Sequence, residues 1–222
     1  MRIHLASASL VDIRWAAEHG LADGIVTSPS LLALERPGTD ARDLLGEIAR
    51  NSGLPVHASV GSVDPGDIYR DGRELAKVAD NVIVEVPLVD DAVMAIRRLS
   101  IEGVRVAATL VFNAAQAVLA AKAGATTVTI PVDQLDGLGQ DSVAVVDETR
   151  RLFDRAGVEC DLVAAYPRSA ADFTACGLAG ADAVTIGIDS LRALLVHPLT
   201  DRGVDTFLRE LASRPRPRIA PV

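Results

Sequence analysis

Apolar positions along the chain switch repeatedly between a helical spacing of three to four residues and short unbroken runs of four to eight. The helical stretches close at glycines 20, 53, 103, 124, 157 and 180, and a strand-like run follows each. These runs cover 23–26, 55–60, 104–111, 126–131, 158–164 and 182–186, and 2–6 and 81–86 complete a set of eight. One strand and one helix then occupy about 28 residues of the 222, the scale of a single βα unit. Strands such as Val82-Ile83-Val84 are apolar on both faces, as in a parallel sheet covered by helices. The pattern predicts a (β/α)8 TIM barrel, an α/β fold, with an additional C-terminal helix at 200–213. The domain spans 1–213, and the Pro/Arg-rich tail 214–222 is expected to be extended or frayed. A doubly wound open sheet would carry a glycine-rich loop after its first strand. That position reads Ala6-Ser7-Ala8-Ser9, which favours the barrel without periodicity alone excluding the open sheet.

Composition narrows the partners. A net charge of -8 with 3% aromatic residues argues against nucleic acid and points to a small-molecule substrate. No apolar run approaches the roughly 20 residues that span a bilayer, and the N-terminus lacks an export pattern, so no membrane association and a cytoplasmic location are expected. Cys160 and Cys176 lack CxxC spacing and read as reduced, packed thiols. Lysine occurs only at Lys77 and Lys122, which limits where an imine with a carbonyl substrate could form.

In such a barrel, ligands meet the carboxyl ends of the strands. Glu85 interrupts the run Val82-Ile83-Val84-Glu85-Val86 and should be buried there. Burial raises a carboxyl pKa, which suits a glutamate to proton transfer near neutral pH. The competing reading is a structural glutamate, hydrogen-bonded inside the barrel or paired with an arginine. Thr109 and Thr129 face the same cavity and could orient a ligand or water, or simply pack. Tyr166 and Arg168 follow the seventh strand and could hold an acidic group, the alternative being an arginine paired with Asp133 or Asp136. Asn113 reads as a helix cap near the rim, and Ser28, followed by Pro29, as a helix start. His4 and His57 lie in strands and read as satisfied core imidazoles. Neither a metal site nor a cofactor is expected.

Taken in order, Gly24-Ile25-Val26-Thr27-Ser28-Pro29-Ser30-Leu31, Val82-Ile83-Val84-Glu85-Val86-Pro87, Ala114-Ala115-Gln116, Ala123-Gly124-Ala125 and Leu178-Ala179-Gly180-Ala181 resemble the short transaldolase family, which includes fructose-6-phosphate aldolase. The resemblance implies a (β/α)8 barrel, a sugar or sugar phosphate as substrate, and a homo-oligomer joined through the C-terminal helix. It also implies a Schiff-base lysine at the position that holds Glu85 here. The family's first-strand aspartate aligns with Ala6, the asparagine of its Thr-Asn-Pro-Ser motif with Ser28, its phosphate-holding arginine with Gln134, a tyrosine with Pro131 and a glutamine with Ser59. Thr109 is retained. A carboxylate cannot form an imine.

Two functions therefore stand at this stage. One is a repurposed lyase, aldol-type enzyme or isomerase with Glu85, Thr109 and Tyr166 as catalytic residues. Ser28, Ser59, Asn113, Thr129, Asp133, Gln134 and Arg168 then bind a small polar carbonyl compound. The other is a non-catalytic metabolite-binding protein or partner subunit.

Overall fold

A computed structural model describes residues 1–213, so the stretch 214–222 and the expectation attached to it lie outside the described residues. Eight parallel strands close into a barrel in sequence order, which excludes the open sheet. They are β1 (Arg2–Ala6), β2 (Gly24–Val26), β3 (Val56–Ser59), β4 (Val82–Pro87), β5 (Val106–Thr109), β6 (Thr127–Pro131), β7 (Asp161–Ala165) and β8 (Ala183–Gly187). β1 pairs with both β2 and β8, so no edge is left open. Five strands are shorter than their apolar runs, β3, β5 and β7 by two residues or more. Residues 104 and 105 and 158–160 belong instead to the chain entering β5 and β7.

Alternation along each strand divides the side chains. One set, including Leu5, Ile25, Val56, Val84, Val106, Val128, Leu162 and Val184, packs outward against the helices and forms the main core. Helix faces complete that layer with Leu44, Leu45, Ile48, Ile68, Ile96, Leu99 and Phe153. The other set, including His4, His57, Ser59, Glu85, Thr109, Thr129 and Thr185, occupies the barrel interior.

Side-chain caps set where several helices begin. Ser28 accepts from Leu31 N at 3.2 Å and Pro29 opens the helix Pro29–Glu35, while Asn113 accepts from Gln116 N at 2.9 Å at the start of Ala114–Ala123. Gly124 ends the latter helix at φ 107°, and its position leaves no room for a Cβ, which would lie 2.3 Å from Ser100 Oγ.

The C-terminal helix Pro198–Ser213 buries none of its residues, and Leu199, Val204, Phe207, Leu208 and Leu211 all remain exposed. No helix of the described residues is long and apolar enough to cross a membrane. Cys160 and Cys176 are buried free thiols, pushed up to about 12 and about 11 chiefly by burial, which leaves neither as a nucleophile.

Candidate functional site

The strand ends surround a cavity of about 180 Å³ lined by residues of seven strands and their following loops. Glu85 stands in its wall. The β3–β4 register places Ser59 directly beside Glu85, and the Ser59 hydroxyl donates to Glu85 Oε2 at 2.9 Å. Glu85 is only 7% exposed. Among the described residues no arginine pairs with it. Its charged-group neighbour is His57, whose Nδ1 is 3.4 Å from Glu85 Oε1.

Thr109, Thr129 and Thr185 also line the cavity and supply hydroxyls. Leu110 and Tyr166, the residues that leave β5 and β7, adopt left-handed φ values of 56° and 63° and both line the same mouth. Such backbone is uncommon for residues with a Cβ and is concentrated at functional sites. Burial, with Glu85 and then Asp133 nearby, raises the Tyr166 phenol above its ordinary range. At neutral pH it therefore stays protonated and can donate a hydrogen bond.

Of the residues expected from sequence, the structure brings together Glu85, Thr109, Tyr166, Ser28, Ser59, Thr129 and Gln134. Three stand apart from this wall. Asn113 is exposed and spends its side-chain oxygen on the helix cap. Arg168 turns away, its guanidinium donating to the backbone carbonyl of Asp133 rather than to either aspartate side chain. Asp133 sits in the first turn of the helix Val132–Gly137 with Oδ1 buried and unpartnered.

The two strand histidines are buried as expected, but they are not satisfied: Nδ1 of both His4 and His57 lacks a hydrogen-bond partner. Thr185, a strand-end position to which the sequence assigned no role, lines the cavity, and His57, read from sequence as a core imidazole, stands beside Glu85. The available signal was alternation, because His57 and Ser59 stand two apart on one strand and must share a face. Lys77 and Lys122 lie at the C-terminal ends of helices, exposed and at the opposite end of the barrel from the cavity. No group of three or more potential metal-ligating side chains occurs among the described residues. A second cavity of about 220 Å³, mostly apolar with Leu32, Leu45 and Leu75 and lined also by Arg42 and Asp71, shares only Ser59 with the mouth.

A closed βα barrel with an ionisable group among hydroxyls at the carboxyl ends of its strands has the layout of a barrel enzyme site. Residues 7–214 match the family model described as Transaldolase/Fructose-6-phosphate aldolase. A probable transaldolase of Hyphomonas neptunium is 39% identical over 210 residues, covering 95% of this chain and 96% of that protein. A probable transaldolase of Geobacter sulfurreducens is 35% identical over 216 residues, covering 97% of this chain and 100% of that protein. This chain belongs to the transaldolase/fructose-6-phosphate aldolase family, a family of aldolase-type enzymes. Among solved structures, a cube-shaped, highly porous protein cage designed by fusing symmetric oligomeric domains shares the fold. It has a TM-score of 0.63 at 13% identity, covering 96% of this chain and 77% of the cage chain.

Proposed function

We propose that this chain is a transaldolase-family barrel whose chemistry runs without a lysine imine, with Glu85 transferring a proton on a small hydroxycarbonyl compound. The observation that carries this reading is the buried Glu85 carboxyl in the cavity wall, hydrogen-bonded to the Ser59 hydroxyl with the His57 imidazole 3.4 Å away, and with no arginine on it among the described residues. A buried carboxyl is costly to keep, and loss of the family reaction alone does not call for an ionisable residue at this position.

The chemistry begins with a substrate carbonyl directed at the Tyr166 phenol. Glu85 takes the proton from the neighbouring carbon, or from the hydroxyl one carbon further on. In the first case the C–H electron pair becomes the new C=C bond; in the second the C–C bond breaks and supplies it. In both, the carbonyl π pair moves onto oxygen, where the phenol's hydrogen bond stabilises the developing enolate. Returning the proton to carbon completes an isomerisation or a lyase reaction. Thr109, Thr129 and Thr185 supply hydroxyls to the substrate's own hydroxyl groups.

None of the residues lining the cavity is cationic among those described, and Gln134 stands on the wall where Arg168 does not reach. The substrate class favoured is thus an unphosphorylated sugar fragment. The family resemblance and the exposed apolar row on the helix Pro198–Ser213 support a homo-oligomer as the working form.

The test is solvent-deuterium incorporation into dihydroxyacetone, hydroxyacetone and glyceraldehyde, followed by proton NMR, with dihydroxyacetone phosphate as the phosphorylated comparison. Wild type should exchange the carbon-bound protons, and Glu85→Gln should lose this by roughly 100-fold or more, the usual scale for a general base. Borohydride added to the same mixtures should leave the intact mass unchanged. Equal exchange by wild type and Glu85→Gln, or a trapped adduct on Lys77 or Lys122, overturns the reading. Binding of these compounds without exchange favours a metabolite-binding protein.

A further inference from the structure

Below the cavity, the barrel interior holds a second layer of ionisable groups that the chemistry above leaves unused. His57 projects from β3 two residues before Ser59, on the same face, and is buried. Its Nδ1 has no hydrogen-bond partner, yet it stands 3.4 Å from Glu85 Oε1. The other carboxylate oxygen, Oε2, already accepts from Ser59. Behind His57 lies His4 of β1, its ring centroid 5.1 Å away. His4 in turn fills the space beside Gly24 of β2, where a Cβ would come within 2.9 Å of His4 Cδ2. The imidazoles are therefore packed in place from behind.

We infer that His57 is a positioning residue for Glu85: an N–H at Nδ1, aimed at Oε1, works with the Ser59 hydroxyl on Oε2 to hold the carboxylate in one orientation at the barrel mouth. This inference rests on the reading of Glu85 as the proton-transfer group. A neutral imidazole carries its hydrogen on one nitrogen only. With the hydrogen on Nε2, the Nδ1 lone pair would face a carboxylate lone pair across a buried gap. With the hydrogen on Nδ1, the same gap becomes a charge-assisted hydrogen bond. Closing it from 3.4 Å to an ordinary N–H···O length of about 2.9 Å requires about half an ångström of ring or carboxylate movement.

Both donors come from alternate positions of one strand, so β3 acts as a rigid two-point template for a side chain on β4. Each oxygen keeps a second lone pair for the substrate. Fixing the carboxyl torsions before the substrate arrives removes an orientational cost from the proton transfer itself. The expected consequence is an effect on kcat, with little on KM.

The first measurement uses the full-length chain labelled with ¹⁵N-histidine, the His57 signals being assigned by their loss in His57→Asn. Wild-type His57 should carry hydrogen on Nδ1, and Glu85→Ala should release it to the Nε2–H tautomer. A bare Nδ1 in wild type overturns the inference without requiring any variant to fold. The second measurement follows deuterium exchange into dihydroxyacetone. Asparagine places an amide N–H near the position of Nδ1, so His57→Asn should remain within roughly fivefold of wild type, the donor being kept. His57→Phe fills the volume but cannot donate, and kcat should fall roughly 10- to 100-fold, as for loss of a hydrogen bond to a charged group, with KM within about threefold. The reverse order, with phenylalanine active and asparagine impaired, would show that His57 only packs. If wild type exchanges nothing, the reading of Glu85 fails while the nitrogen spectrum still decides the role of His57.

Discussion

Replacing His4 with glutamine should flatten the acid side of the protein's stability profile, and the size of the effect follows from where the imidazole sits. His4 is 6% exposed, inside the barrel between β2 and β8. Burial first, then the neighbouring His57 and Arg2, push its pKa down from 6.5 to about 4. The folded chain thus refuses a proton that the unfolded chain accepts below pH 6.5. Because stability rises with pH wherever the unfolded state binds more protons, His4 contributes fully above pH 6.5. Its contribution drains as pH falls, and the loss is complete below about pH 4. At 1.36 kcal/mol per pKa unit the total is about 3 kcal/mol, of which about 2 kcal/mol disappears between pH 7 and pH 4.5. Urea unfolding of wild type and His4→Gln at pH 7, 5.5 and 4.5 isolates this contribution, since every other titrating group is common to both chains. The wild type should lose about 2 kcal/mol more than the variant over that interval. Parallel losses within about 0.5 kcal/mol, the usual scale of a surface substitution, would refute the assignment of a buried, neutral His4.

Two further outcomes follow from packing. Gly24→Ala should cost about 1–3 kcal/mol of stability, read in the same urea experiment, because its Cβ would meet the His4 ring and His57 blocks the ring's retreat. If the proposed homo-oligomer is joined through the exposed row Val204, Phe207, Leu208 and Leu211, Leu208→Asp should lower the mass measured by light scattering after size exclusion. An unchanged mass would remove that helix face from the interface.

The sequence alone determined the number and order of the strands, the direction in which each strand residue faces, and the place of Glu85 inside the barrel. Those features depend on local periodicity: an apolar run flanked by helical patterns has few alternatives, and a period of two assigns every side chain of a strand to one face or the other. The same local reasoning found Ser59, Thr109, Thr129 and Tyr166, which sit at strand ends. Only closure of the sheet decided who meets whom. That Glu85 takes Ser59 and His57 as neighbours depends on the β3–β4 register, a relation between residues 26 and 28 positions apart. That Arg168 spends its guanidinium on a backbone carbonyl and Asn113 its amide on a helix cap depends on loop conformations that no periodicity encodes. The unsatisfied histidines belong to the same class, because hydrogen-bond satisfaction is a property of the surroundings and those surroundings exist only once eight strands have closed around them.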